Sequence, residues 1–177
     1  ALPGYRYWDE VAGDPKTPVA ALQTFAKDSD PSVRRSLAKN PATPIAMLEE
    51  LAKDKEVDYR KSVAENPSTP IAIREALLEE LAKDSDPWIR RSAAKTTSTP
   101  AALLEALAKD KNSVVRHAVA ENPSSPVSVL EGMANDADLT IRQSVAINPS
   151  TSKAVREALL EALANENDAR VRKSVAE

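Results

Sequence analysis

The chain has 177 residues and a net charge of −3, with no cysteine, one histidine and only six aromatic residues against 42 % hydrophobic and 29 % charged. That balance supplies no global field favouring nucleic acid or an anionic membrane, and the lack of cysteine excludes disulfides, thiolate catalysis and thiolate metal sites. No run approaches the roughly 18 apolar residues of a membrane span; the location is left open, with the cytoplasm as the default expectation.

Few aromatics mean that Ala, Leu and Val must fill the interior, and with abundant Glu, Lys and Arg this is a helical composition. Three glycines leave most of the punctuation to thirteen prolines. The chain opens on "ALPGYRYWDE", which lacks a signal-peptide layout. Either a monomer or a fragment of a larger protein is expected.

Residues 1–13 read as an N-terminal cap, a degenerate half repeat. "YWDEVAG" follows the pattern of the helices described below, with Tyr7 and Val11 in inward positions and Trp8 and Tyr5 covering the first unit. From residue 14 a phrase of the form Asn-Pro-x-Thr-Pro recurs: "NPATP" at 40–44, "NPSTP" at 66–70, "NPSSP" at 122–126 and "NPSTS" at 148–152. Aligned on it, the chain divides into six units, 14–39, 40–65, 66–95, 96–121, 122–147 and 148–177. Four have 26 residues, and the third and sixth have 30. "REALLEELA" (74–82) returns as "REALLEALA" (156–164), which suggests two triplets, 14–95 and 96–177. One irregular junction, "KTTSTP" (95–100), has Thr96-Thr97 in place of Asn-Pro.

Each unit splits into two helices. The first starts at Thr-Pro: a residue before proline is driven to extended angles, as an N-cap requires, and proline suits the first helical position. Thr69 is therefore expected to cap the next helix, with Pro70 as its first residue. "TPIAMLEELAKD" (43–54) then carries an inward stripe of Ile45, Leu48, Leu51 and Ala52 with Glu49, Glu50 and Lys53 outside. Four extra residues in the longer units add about one turn.

The second helix is expected to be the shorter one, as in "DPSVRRSLAKN" (30–40). Its inward columns are Val33, Tyr59, Ile89, Val115, Ile141 and Val171, and four residues on Leu37, Val63, Ala93, Val119, Val145 and Val175. Alanine follows in every unit, at 38, 64, 94, 120, 146 and 176, and the first helix has its own column at 26, 52, 82, 108, 134 and 164. Alanine at every turn of a repeat points to close backbone approach. Neither helix can bury its stripe alone, so the units must stack into an all-α solenoid of six two-helix repeats.

The template V-R-x-x-V-A-x-N-P-x-T-P-x-x-x-L-x-x-L-A-x-D, carried by "VRRSLAKNPATPIAMLEELAKD" (33–54) and "VRHAVAENPSSPVSVLEGMAND" (115–136), resembles the leucine-rich repeat variant (LRV) family of bacterial proteins over nearly the whole chain. The resemblance implies a right-handed superhelix whose shorter helix is largely 3₁₀. Some members of that family carry a cysteine-rich iron–sulfur segment; nothing here matches it, so no cofactor is expected. A broader likeness to HEAT-like repeats draws attention to an Asp followed six residues on by an Arg: Asp28/Arg34, Asp54/Arg60, Asp84/Arg90, Asp110/Arg116 and Asp136/Arg142, with Glu166/Arg172 last. In those repeats the pairs form a ladder between units.

Four features could carry function. The arginine column, with Arg35, Lys61, Arg91, His117 and Lys173 beside it, would suit phosphates; the structural reading is that each guanidinium forks onto an Asp or a loop carbonyl and locks repeat to repeat. The glutamates of the first helices lie on a polar face, which is a solvated surface rather than a desolvated acid–base pair. His117, a single histidine, cannot build a metal site without unusual carboxylate help. Trp88 is the outlier: its column otherwise holds Ser32, Asp58, Val114, Thr140 and Arg170. With Arg91, Val114 and His117 it would make an exposed aromatic-plus-arginine spot of the kind that concentrates binding energy; alternatively it folds over the lengthened first helix of its own unit. The expectation is a non-enzymatic scaffold for another protein, with no metal and no membrane. Nucleic-acid binding along the second helices is the alternative.

Overall fold

The computed structural model describes the backbone of residues 7–176 and the side chains of residues 7–165. Among the described residues there are twelve helices and no strand. They are α1 (Trp8–Gly13), α2 (Val19–Phe25), α3 (Pro31–Lys39), α4 (Ile45–Leu51), α5 (Val57–Glu65), α6 (Ile71–Ala82), α7 (Pro87–Lys95), α8 (Ala101–Leu107), α9 (Ser113–Glu121), α10 (Val127–Met133), α11 (Leu139–Ile147) and α12 (Lys153–Ala176). The fold is an all-α helical repeat. Two compact units are present, Ala1–Leu81 and Ala82–Glu177.

In the first unit α1 packs on α3 and α3 on α5, while α2 and α4 lie against these second helices. Leu22, Val33, Leu37, Leu48, Tyr59, Val63 and Leu78 are fully enclosed. In the second unit α7, α9, α11 and α12 pack in succession, with α8 and α10 against them, over Leu104, Val115, Val119, Leu130 and Ile141. Leucine and valine at these columns bury enough apolar surface to replace the missing aromatics.

The turn phrase works differently from its local reading. At Asn66 the backbone leaves the helix in an extended conformation (φ −71°, ψ 126°), and the Thr69 amide donates back to its carbonyl at 3.1 Å. This closes a β-turn with Pro67 at the position whose φ proline pre-sets, and Asn66 Oδ1 accepts the Ser68 amide at 2.8 Å inside it. Thr69 does not cap the next helix. Its hydroxyl donates backwards to the Val63 carbonyl at 2.6 Å, and Thr43, Thr99, Ser125 and Thr151 make the same bond six residues back. Proline is the N-cap rather than the first helical residue: Pro44 has extended angles while its carbonyl already accepts from Met47 and Leu48. The hydroxyls stay occupied because the last turn of the preceding helix leaves carbonyls unsatisfied.

Relative helix length also departs from expectation. The second helices α3, α5, α7, α9 and α11 are α-helical rather than 3₁₀ and have nine residues each, whereas α2, α4, α8 and α10 have seven. The first helices end early because their final turn tightens to i→i+3 bonds, as in Lys53 to Glu50 and Asp54 to Leu51. In the sixth unit no break separates two helices; α12 runs unbroken for 24 residues. In the earlier units Asp28, Asp54, Asp84, Asp110 and Asp136 each accept the amide two residues on and so turn the chain. Position 166 is glutamate, whose longer side chain is a poor turn former and a good helix former.

Several inward assignments are corrected. Ile45 is 52 % exposed, Tyr7 66 % and Val11 38 %, and Ile89 is half-buried. At a helix's first residue the side chain precedes the buried stripe, which begins three residues on at Leu48. The alanine column of the second helices is enclosed at Ala38, Ala64, Ala94, Ala120 and Ala146. That of the first helices is only half-buried at Ala26, Ala52, Ala82, Ala108 and Ala134, so close backbone approach belongs to the second helices alone. Trp8 does cover the first unit, its ring 5.7 Å from that of Phe25. Tyr5, Arg170, Val171, Arg172, Lys173, Val175 and Ala176 lie outside the residues whose side chains are described.

Candidate interaction surface

The second helices of Ala82–Glu177 present one ridge. Each is started by a side-chain cap: Asp86 accepts the Trp88 amide at 2.8 Å, Asn112 that of Val114 at 3.0 Å and Asp138 that of Thr140 at 2.9 Å. These caps satisfy first-turn donors and set Trp88, Val114 and Thr140 at the same position of α7, α9 and α11. Arg91 and His117 follow one turn on.

Trp88 is 59 % exposed, so it does not fold away under its own unit. The Arg91 guanidinium carbon stands 5.4 Å from the centre of the Trp88 ring, a cation–π distance. Trp88, Arg91, Val114 and His117 line one open hollow of about 220 Å³, completed by Ser113, Asp138 and Thr140. His117 is held from both sides, with Nε2 3.2 Å from Ser144 Oγ and Nδ1 3.5 Å from Glu121 Oε2. The Thr140 hydroxyl and amide both donate to Asp138 and hold its carboxyl below the usual aspartate range. The hollow therefore offers an aromatic wall, an aliphatic residue, a cation and an anion within one small area.

The arginine column faces another way. Each described arginine donates Nη1 to a backbone carbonyl six residues earlier, Arg60 to Asp54 at 2.6 Å, Arg90 to Asp84 at 2.8 Å, Arg116 to Asp110 at 2.9 Å and Arg142 to Asp136 at 2.8 Å, Arg34 excepted. Carboxylate partners come from the next repeat. Arg90 pairs with Asp110 and Arg116 with Asp136, both at 2.7 Å, and Arg34 stands 3.5 Å from Asp54. Arg60 meets Glu80 at 3.1 Å, twenty residues on, the same offset as in the Arg90–Asp110 and Arg116–Asp136 pairs. Asp28 and Asp84 accept the amides of Asp30 and Asp86. The side chain of Arg172 lies outside the described residues. Of the neighbouring basic positions, Arg35 and Lys61 both reach Asp58, at 2.7 and 3.5 Å.

Two structural devices escape the sequence reading. The asparagine of the turn phrase is a clamp: Asn66 Nδ2 donates to the Ala38 and Asn40 carbonyls at 2.7 and 2.9 Å. Asn40, Asn122 and Asn148 repeat the pattern. Its one signal was the recurrence of Asn in particular, where Asp or Ser would serve the turn equally. The other device is Arg74, which donates to the Asn66, Pro67 and Thr69 carbonyls, with Arg156 on those of Ala146, Asn148 and Thr151. Both sit in the lengthened repeats.

A solved structure titled "a leucine-rich repeat variant with a novel repetitive protein structural motif" matches 87 % of this chain and 79 % of its own, at 22 % identity and a TM-score of 0.47. The chain is similar to a leucine-rich repeat variant. No family model matches the chain, and no curated protein matches it. Among the described residues no helix is long and apolar enough to cross a membrane, and no group of three or more His, Cys, Asp or Glu could hold a metal ion.

Proposed function

We propose that this helical-repeat protein is a non-enzymatic scaffold that binds another protein through the ridge of α7, α9 and α11. The observation that carries the reading is Trp88, 59 % exposed with Arg91 against its ring and in one hollow with Val114 and His117. A large rigid aromatic left in water costs solvation free energy, and Trp and Arg together are the residues most enriched where interfaces concentrate their energy. Nucleic-acid binding along the same helices has less support, since Arg90 and Arg116 are committed to bidentate pairs with aspartate.

The test compares the whole chain with Trp88→Ala in binding to a purified partner. The reading requires a loss of about a hundredfold, typical of an aromatic hot spot. Unchanged affinity would remove the patch. Affinity for mixed-sequence duplex or single-stranded oligonucleotides that falls steeply with salt would favour the nucleic-acid alternative.

A further inference from the structure

The basic column beside the structural arginines is neutralised in α3 and α5 but not in α7. Asp58 of α5 accepts from Arg35 of α3 at 2.7 Å and stands 3.5 Å from Lys61 of its own helix. One carboxylate thus serves two cations, lying 23 positions after the first and three before the second. Counted from Arg91, the same two offsets fall on Val114 and Trp88. At both places from which the column draws its carboxylate, Arg91 meets an apolar residue instead.

The Arg91 guanidinium lies over the Trp88 ring, and a cation over a ring leaves its five N–H donors without an oxygen acceptor. Among the described residues no carboxylate pairs with it. Helix α7 carries Arg90, Arg91 and Lys95 and no acid, and of these only Arg90 has a carboxylate partner among the described residues, Asp110. The acids around the hollow are engaged elsewhere. Asp86 accepts the Trp88 amide, Glu121 stands 3.5 Å from His117, and Asp138 takes both the amide and the hydroxyl of Thr140. Glu121 and Asp138 lie beyond α7, on α9 and at the start of α11. Their charge opposes a run of phosphates along the ridge and leaves room for one anion at Arg91. At about 220 Å³ the hollow is smaller than a small-molecule pocket of about 300–1,000 Å³, which favours a side chain of a polypeptide as its occupant.

Resting on the ridge around Trp88 as the binding surface, we propose that its partner is a polypeptide segment with an acidic side chain beside a large apolar one. The carboxylate forks onto the Arg91 guanidinium, a geometry that Arg and carboxylate favour, and the apolar side chain enters the hollow against Trp88 and Val114. The partner thereby supplies to Arg91 from outside what Asp58 supplies to Arg35 within the chain.

The experiment uses the full chain and three labelled peptides of about 12 residues, roughly 18 Å as a helix: Leu/Glu, Leu/Gln and Leu/Lys, alike except at the polar positions. Fluorescence anisotropy is expected to show the Leu/Glu peptide binding about tenfold or more tightly than Leu/Gln, with Leu/Lys weakest. Arg91→Gln erases that preference. So does Val114→Asp, which places a carboxylate at the offset that Asp58 has from Arg35. Arg35→Gln, the same change of charge elsewhere in the column, leaves the preference intact. A thermal melt of each variant establishes that it is folded. Equal binding of Leu/Gln, binding of none of the three peptides, or a preference that survives Arg91→Gln or Val114→Asp overturns the proposal, as does its loss in Arg35→Gln. A purified partner that depends on Trp88 but not on Arg91 removes the carboxylate and leaves the ridge standing, whereas indifference to both Trp88→Ala and Arg91→Gln removes both. A mixed-sequence oligonucleotide bound more tightly than Leu/Glu and released by Arg91→Gln also overturns the proposal, since the occupant is then nucleic acid. So does a dimer of the chain alone in sedimentation that dissociates in Arg91→Gln, since the occupant is then a second copy.

Discussion

Arg90 grips Asp110 with two parallel hydrogen bonds, Nε to Oδ2 at 2.7 Å and Nη2 to Oδ1 at 2.9 Å, while Nη1 holds the Asp84 and Ser85 carbonyls. Both side chains are about a tenth exposed. A planar guanidinium is suited to this fork, and an ammonium is not. Asp110 in turn accepts the Asn112 amide at 2.8 Å, so one carboxylate both turns the chain into the next second helix and ties it to the preceding repeat.

Arg90→Ala is expected to lower unfolding stability by about 3 kcal/mol, because it leaves Asp110 charged, enclosed and short of its partner. Arg34→Ala is expected to cost no more than about 1 kcal/mol, since Arg34 and Asp54 are 3.5 Å apart and each about a quarter exposed. Urea denaturation of the two variants reads the contrast directly. Equal losses would mean that geometry does not decide the worth of this ladder.

Acid should act through the same pairs. Hydrogen bonds from Arg90 and Arg116 hold Asp110 and Asp136 below the ordinary aspartate value of 3.8. A carboxyl depressed in the folded state contributes stability in full above its unfolded value and loses it as pH falls through the folded one. Urea midpoints are therefore expected to drop below about pH 4, and Asp110→Asn with Asp136→Asn should flatten that drop. An unchanged acid limb in the double variant would place the sensitivity elsewhere.

The asparagine clamp predicts a larger effect than a surface turn would. Asn122 is 2 % exposed and donates to the Ala94 and Thr96 carbonyls while accepting the Ser124 amide. Asn122→Ala abandons three backbone groups, the Ala94 carbonyl enclosed and the other two partly so, and should cost about 2 kcal/mol. Asn122→Asp keeps the acceptor and loses both donors, so it should be destabilised nearly as much. Thermal melts of the pair distinguish the clamp from the turn, because a turn role alone tolerates aspartate.

Tyr59 is 1 % exposed, and its hydroxyl is enclosed without a hydrogen-bond partner. Tyr59→Phe removes that unsatisfied group and keeps the ring beneath Arg34, whose guanidinium carbon is 4.8 Å from the ring centre. Stability should be unchanged or raised by up to about 1 kcal/mol. A loss above that size would reveal a polar partner for the hydroxyl.

Trp88→Ala provides the complementary case. The ring is mostly in water, so its removal should shift stability by less than about 0.5 kcal/mol while weakening partner binding about a hundredfold. A large fall in melting temperature would return Trp88 to a packing role.

The repeat period, the helix–turn alternation and most of the apolar columns were legible in the residues themselves. These properties depend on consecutive residues: proline sets its own φ, an Asp or Asn closes a turn two residues on, and leucines three or four apart share a helix face. Even the unbroken α12 has a local cause, glutamate at the position where the other units have aspartate. The Trp88 spot was legible as a break in a column.

What the tertiary structure alone decided lies across repeats. The carbonyls that Asn66 holds belong to residues 28 and 26 positions earlier, and the carboxylate that Arg60 meets, Glu80, is 20 residues on. Ile45 has the hydrophobicity of a core residue, yet its place at the head of a first helix leaves it in water. Local chemistry determines which groups are available to bond or to bury. Distance between neighbouring repeats determines which of them meet.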